Sequence, residues 1–120
     1  MIKNSVPAYF CKIYISTSPG YMSIPEPRDK QIHVSLQKFM IQESIAVNVQ
    51  ETTFNYPGGC EEGYIIEFIN YPRFPLEPPI ILDKALRLAE ALMKEYDQFR
   101  CTVMTPTRTF LLENTELTKE

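Results

Sequence analysis

Residues 45–71 read IAVNVQETTFNYPGGCEEGYIIEFINY, and the way this stretch folds decides the architecture of the chain. Ile45, Val47 and Val49 alternate with Ala46, Asn48 and Gln50, and the run continues through Thr52, Thr53 and Phe54 to Tyr56. A period of two, rich in β-branched and aromatic residues, predicts a strand. Pro57 to Gly63 then holds three of the four glycines in the chain. Glycine reaches positive φ at little steric cost, so the chain is expected to reverse here. Tyr64–Tyr71 is an almost continuous apolar run, suited to a buried central strand. Residues 45–71 are therefore expected to form a β-hairpin.

Helices flank this hairpin on both sides. Upstream, Arg28–Glu43 places Ile32, Leu36, Phe39 and Met40 on one helical stripe. Downstream, Leu82, Ala85, Leu86, Ala89, Leu92, Met93 and Tyr96 keep steps of three and four, which predicts a helix over about residues 80–97. Proline-rich segments lead into both: three prolines lie in residues 17–27 and four in residues 72–79. Proline cannot donate in a ladder and holds the preceding residue extended, so both segments should be irregular. Tyr9–Ser16 alternates as an opening strand, and Arg100–Thr105 and Arg108–Glu113 read as a closing pair around Pro106-Thr107. Residues 1–8 and 115–120 are expected to fray. The order β-α-β-β-α-β-β predicts an α+β, ferredoxin-like split β-α-β sandwich in one domain: one antiparallel sheet with two helices on one face.

The composition narrows the chemistry. The chain has 120 residues, 44% of them hydrophobic, a net charge of −3, one histidine (His33) and three cysteines (Cys11, Cys60, Cys101). A chain of this length needs no metal or disulfide staple to fold. An odd cysteine count without a CxxC pair rules out a complete disulfide framework and makes a zinc site improbable, so neither metal nor cofactor is expected. Cys11 and Cys101 lie in apolar strands and should be inert, whereas Cys60 is the accessible thiol. Residues 1–40 carry net +3, residues 41–80 net −5 and residues 81–120 net −1. An acidic middle with no basic cluster argues against nucleic-acid binding. Glu61 and Glu62 read as a solubilising hairpin tip, since no calcium-loop series surrounds them. No apolar run approaches a membrane span, and the opening MIKNSVPAYFCKIYIST lacks the pattern of a signal peptide, so a cytoplasmic protein is expected. Ser16-Thr17-Ser18-Pro19-Gly20 follows a strand as phosphate loops do, but carries one glycine and no GK[ST]. The segment KIYISTSPGYMSIP resembles the opening strand and loop of nucleoside 2-deoxyribosyltransferase-like proteins over fourteen residues. No matching catalytic segment follows, and no family is assigned on it.

The aromatics point to recognition. Phe54, Tyr56, Tyr64, Phe68, Tyr71 and Phe74 crowd the hairpin and its exit, and alternation cannot bury them all. Tyr and Arg are enriched at binding hot spots, and Arg73 stands between Tyr71 and Phe74. The first expectation is a non-enzymatic accessory or inhibitor protein, of the kind phages carry. It would recognise a protein partner through Tyr56, Tyr64, Tyr71, Arg73 and Phe74, and self-associate as a homodimer or higher oligomer through a sheet face or edge. The second is a small-ligand or nucleotide sensor, with Arg28, Arg73, Arg100 and Arg108 meeting a phosphorylated ligand at an oligomer interface. The third is a small enzyme using Cys60 or a carboxylate.

Overall fold

The computed structural model describes residues 1–17 and 29–115. Its elements follow in the order β1 (Phe10–Ser16), α1 (Asp29–Glu43), β2 (Asn48–Tyr56), β3 (Gly59–Ile69), α2 (Pro78–Glu95), β4 (Arg100–Met104) and β5 (Thr109–Glu113). The strands form one antiparallel sheet, β2-β3-β1-β4-β5. This is the ferredoxin-like arrangement, with β5 added at the edge beyond β4. The predicted proline loop ahead of α1 and the last residues of the tail lie outside the described residues.

Strand alternation sorts the side chains between two faces. Cys11, Ile13 and Ile15 of β1 stand directly opposite Phe68, Ile66 and Tyr64 of β3, and all six are buried. Val103 of β4 extends the row beyond Ile13. Both helices cover this inner face. The stripe predicted for α1 is present: Ile32 and Leu36 are buried, and the Phe39 ring meets Phe68 edge-on at 6.2 Å. Helix α2 contributes Ile81, Ala85, Leu88, Ala89, Leu92 and Met93. Each large apolar side chain taken from water stabilises the fold by about 1.5–3 kcal/mol, so this face dominates the energetics.

Both helices stop in the same way. Asp97 after α2 has φ 52° and Ser44 after α1 has φ 53°. In each case the next amide reaches back to the last turn, Gln98 N to Met93 O at 2.9 Å and Ile45 N to Met40 O at 3.3 Å. That is a Schellman-type end, usually made with glycine. Residues 45–47 are spent leaving this cap, which is why β2 begins at Asn48 and not at the predicted Ile45. Helix α2 starts earlier than residue 80, at Pro78, because a first helical residue needs no donated N–H.

An ion-pair cluster ties the helices together. Arg87 donates through Nη1 and Nη2 to the two carboxylate oxygens of Glu43, both at 2.7 Å, and Lys84 Nζ adds a 3.0 Å contact. About two turns further along the same helix pair, Ser35 Oγ donates to Glu95 at 2.6 Å. The Arg87 fork and then Lys84 hold the Glu43 carboxyl down at about 2, below its ordinary 4.5. A depressed carboxyl stabilises the fold fully above its unfolded value and loses that contribution as pH falls through its folded value. Unfolding midpoints in urea are therefore expected to drop between pH 4.5 and 2. Glu43→Gln should be less stable at neutral pH and flatter across that window. Parallel pH profiles for the two proteins would show that the cluster does not couple to folding.

Candidate functional site

The outer face of the sheet, away from the helices, is built on absent side chains. The predicted seven-residue reversal is in fact a two-residue turn, Pro57-Gly58, with Gly58 at φ 91° and the ladder resuming at Gly59. The other two glycines of the cluster sit within strand β3 as seats for rings. A Cβ at Gly59 would fall 2.9 Å from the Tyr56 ring. One at Gly63 would fall 2.5 Å from the Phe54 ring and overlap the Ile15 carbonyl oxygen. The Phe54 ring therefore lies over Gly63, beside the end of β1.

Around that ring a pocket of ≈ 360 Å³ opens where β1 ends and β3 and β4 begin. Tyr14 and Ser16 reach it from β1, Phe54 from β2 and Glu61 from β3. Asp97, Gln98 and Phe99 bring in the α2–β4 turn, and Arg100 and Thr102 come from β4. Asp97 is there because the αL residue that ends α2 projects at this corner. A non-glycine in that conformation costs about 1–2 kcal/mol, and such strain concentrates at functional sites. Ser16 Oγ donates to Glu62 O at 3.3 Å, and Thr17 N reaches the same carbonyl at 3.0 Å. Those bonds fix the β1 end against β3. Arg100 Nε is held by Glu113 Oε2 at 3.2 Å, which leaves Glu61 and Asp97 to set an acidic character. Cys101 borders the pocket, but burial pushes its thiol up to about 12, and such a thiol is no nucleophile at neutral pH.

The residues singled out in the sequence do not converge here. Tyr64 is only 4% exposed and faces the helices, so it is core and unavailable to a partner. Tyr56 is half exposed on the outer face, over Gly59. Of the arginines, Arg100 lines the pocket, Arg108 sits at the β4–β5 turn at the other end of β4, and Arg73 follows the far end of β3. Arg28 lies outside the described residues. The three that are described thus make no common anion site. Tyr71 and Phe74 line a different, apolar cleft of ≈ 530 Å³ with the end of α1, and Arg73 stacks on Phe74 at 5.2 Å. Glu61 and Glu62 belong to strand β3 because the turn is so short; Glu62 is exposed there, as expected of a solubilising residue, whereas Glu61 is half-buried beside the pocket. Tyr14, Phe54, Glu61, Asp97 and Thr102 meet only in the folded chain and form no group that the sequence announces. The outward register of β1 and the Tyr-Asp-Gln-Phe helix exit at residues 96–99 are the sequence signals that point toward them.

Among the described residues, no three His, Cys, Asp or Glu side chains gather as metal ligands. No described helix is long and apolar enough to cross a membrane.

No family model and no curated protein matches the sequence. Among solved structures, a phage SAM lyase in complex with S-methyl-5'-thioadenosine is similar over 95% of this chain and 95% of its own, with TM-score 0.70 and 12% identity. A phage SAM lyase in its apo state is similar over 88% and 89%, with TM-score 0.68 and 12% identity. At that identity the likeness establishes the fold. It also corrects the expectation of a non-enzymatic binding protein, since the architecture read as an accessory module is one on which an enzyme is built. The aromatics that carried that expectation divide between core, outer face and apolar cleft.

Proposed function

We propose that the pocket at the β1, β3 and β4 ends binds an adenosyl sulfonium of the S-adenosylmethionine type, and that the chain cleaves its carbon–sulfur bond to leave S-methyl-5'-thioadenosine. The observation that carries this is the pocket's make-up: three aromatic rings, Tyr14, Phe54 and Phe99, and two carboxylates, Glu61 and Asp97, in one small cavity. A flat base stacks on aromatic faces, and a sulfonium is drawn to ring quadrupoles and carboxylates alike. The likeness in fold to a lyase complexed with that thioether supports the same reading.

The chemistry suits a site without an acid–base histidine. When the carbon–sulfur bond breaks, its electron pair stays on sulfur, which leaves as a neutral thioether and needs no proton. A lyase adds no water, so the carbon fragment either loses a proton or closes on a nucleophile of its own. The protein's part is to hold the substrate in a reactive conformation and exclude solvent. Phosphorylated ligands are disfavoured, because Glu61 and Asp97 face the cavity and Arg100 is engaged by Glu113. The partner this reading keeps is a second copy of the chain, and free thiols at Cys11, Cys60 and Cys101 fit a reducing cytoplasm.

Millimolar S-methyl-5'-thioadenosine is expected to raise the melting temperature by several degrees through mass action. Incubation with S-adenosylmethionine should release the same thioether, read by chromatography and mass spectrometry. No thermal shift with either compound, together with no release, would overturn the assignment.

A further inference from the structure

The pocket at the β1, β3 and β4 ends is short of positive charge, and a residue outside it keeps it so. Glu61 and Asp97 line the cavity, and Arg100 is the single cation among the described lining residues. Across the β4–β5 ladder Arg100 stands directly opposite Glu113, whose Oε2 accepts from the Arg100 Nε at 3.2 Å. Glu113 itself is not among the described lining residues; it comes from edge strand β5. A carboxylate arriving on a ligand therefore competes with Glu113 for the guanidinium, and meets Glu61 and Asp97 besides.

Backbone geometry puts Glu113 there. Asn114 N, next in the chain, donates to Phe99 O at 2.7 Å, and Phe99 both precedes Arg100 and lines the pocket. The end of β5 is thus fastened to the pocket wall, and directly paired residues of neighbouring strands share a face. Both side chains are open to solvent, Arg100 at 66% and Glu113 at 48%. An exposed ion pair adds little to stability, so the pair can be taken apart without losing the fold.

We infer that Glu113 is a charge selector for this pocket. By occupying Arg100 it favours an adenosyl sulfonium whose side arm ends in a bare amine over one, such as S-adenosylmethionine, whose arm also bears a carboxylate. The inference rests on the reading of the pocket as an adenosyl sulfonium site. The two ligands share the nucleoside, the positive sulfur and the ammonium, and differ by one negative charge. In a small cavity that excludes part of the solvent, that charge is repelled by Glu61 and Asp97 more strongly than in bulk water. Glu113 acts through Arg100, as a positioning residue, and touches no ligand itself. Releasing Arg100 reverses the preference, because a guanidinium fork suits a carboxylate.

The test is calorimetric titration of the full chain with two uncleavable analogues, in which a protonated N-methyl nitrogen replaces the sulfonium. One carries an aminopropyl arm and the other an aminocarboxypropyl arm, and S-methyl-5'-thioadenosine is the uncharged reference. The unmodified protein is expected to bind the aminopropyl analogue about fivefold tighter, the scale of one exposed charge interaction. Glu113→Gln should tighten the carboxylate-bearing analogue by about the same factor and leave the reference unchanged. Arg100→Gln added to Glu113→Gln should abolish that gain, since the pair is then removed as a unit. Equal affinity of the two analogues for the unmodified protein overturns the selector while the reference still binds. So does a gain that survives the loss of Arg100. Failure of all three compounds to bind overturns the pocket assignment itself, and the selector with it.

Discussion

Gly63→Ala is expected to destabilise the protein by about 3 kcal/mol, the upper end of the usual penalty for adding one carbon to a packed site. Two neighbours make the site intolerant. One is the Phe54 ring, 2.5 Å from where the methyl carbon would sit. A ring on edge strand β2 can rotate away at modest cost. The other is the Ile15 carbonyl, and backbone of a central strand cannot yield alone. Ser16, next along β1, pairs with Gly63 across the β1–β3 ladder, so relief requires opening the sheet at its middle. Gly58→Ala is the control. Nothing lies within 4 Å of its Cβ, but its φ of 91° penalises any side chain, by about 1–2 kcal/mol. Urea unfolding followed by circular dichroism compares the two directly. A Gly63→Ala cost no larger than that of Gly58→Ala would mean that β1 and Phe54 do not press on Gly63. The substitution should also weaken ligand binding in the fraction that stays folded, because the displaced Phe54 ring forms one wall of the pocket.

The glycines also show where reading from sequence succeeds and where it stops. Hairpin, helices and strand order are legible because each rests on local periodicity: two along Ile45–Tyr56, three to four along Leu82–Tyr96. Three glycines in seven residues also look local, as a loop. Their actual role at Gly59 and Gly63 is to make room for the rings of Tyr56 and Phe54 and for strand β1. The strand β1 backbone lies more than forty residues away in sequence. The same limit applies to Tyr64. Alternation tells which residues share a face with it, but not that helices cover that face. The pocket itself is assembled from the end of β1, the two strands of the hairpin and the α2–β4 turn, so no contiguous motif announces it. Asp97 carries a partial signal, an acidic residue at a helix end where glycine is common.

Glu61→Gln is expected to weaken binding of S-adenosylmethionine about tenfold while leaving binding of S-methyl-5'-thioadenosine nearly unchanged. The two ligands share the methylthioadenosine part, and S-adenosylmethionine adds the positive sulfur and the aminocarboxypropyl group with its ammonium. Their comparison therefore separates what the carboxylate contributes to that cationic part from what it contributes to the nucleoside. A sulfonium donates no hydrogen bond, so its attraction to the carboxylate is Coulombic. At about 4 Å that is about 1 kcal/mol in water-like surroundings and about 4 kcal/mol near a protein surface, and about 1.4 kcal/mol corresponds to tenfold. Glu61 is only partly buried, which places the effect at the lower end. The turnover number should not fall with affinity. As the carbon–sulfur bond breaks, positive charge leaves sulfur, so a carboxylate beside it stabilises the bound substrate more than the transition state. Removing it should raise KM and leave kcat equal or higher, since only interactions that strengthen in the transition state accelerate the step. Asp97→Asn, added to Glu61→Gln, extends the loss for the sulfonium alone. Steady-state kinetics beside calorimetric titration of both ligands gives the required split. Equal weakening for the charged and neutral ligands would assign Glu61 to the nucleoside. A fall in kcat at unchanged KM would instead make it a catalytic residue acting on the departing carbon fragment.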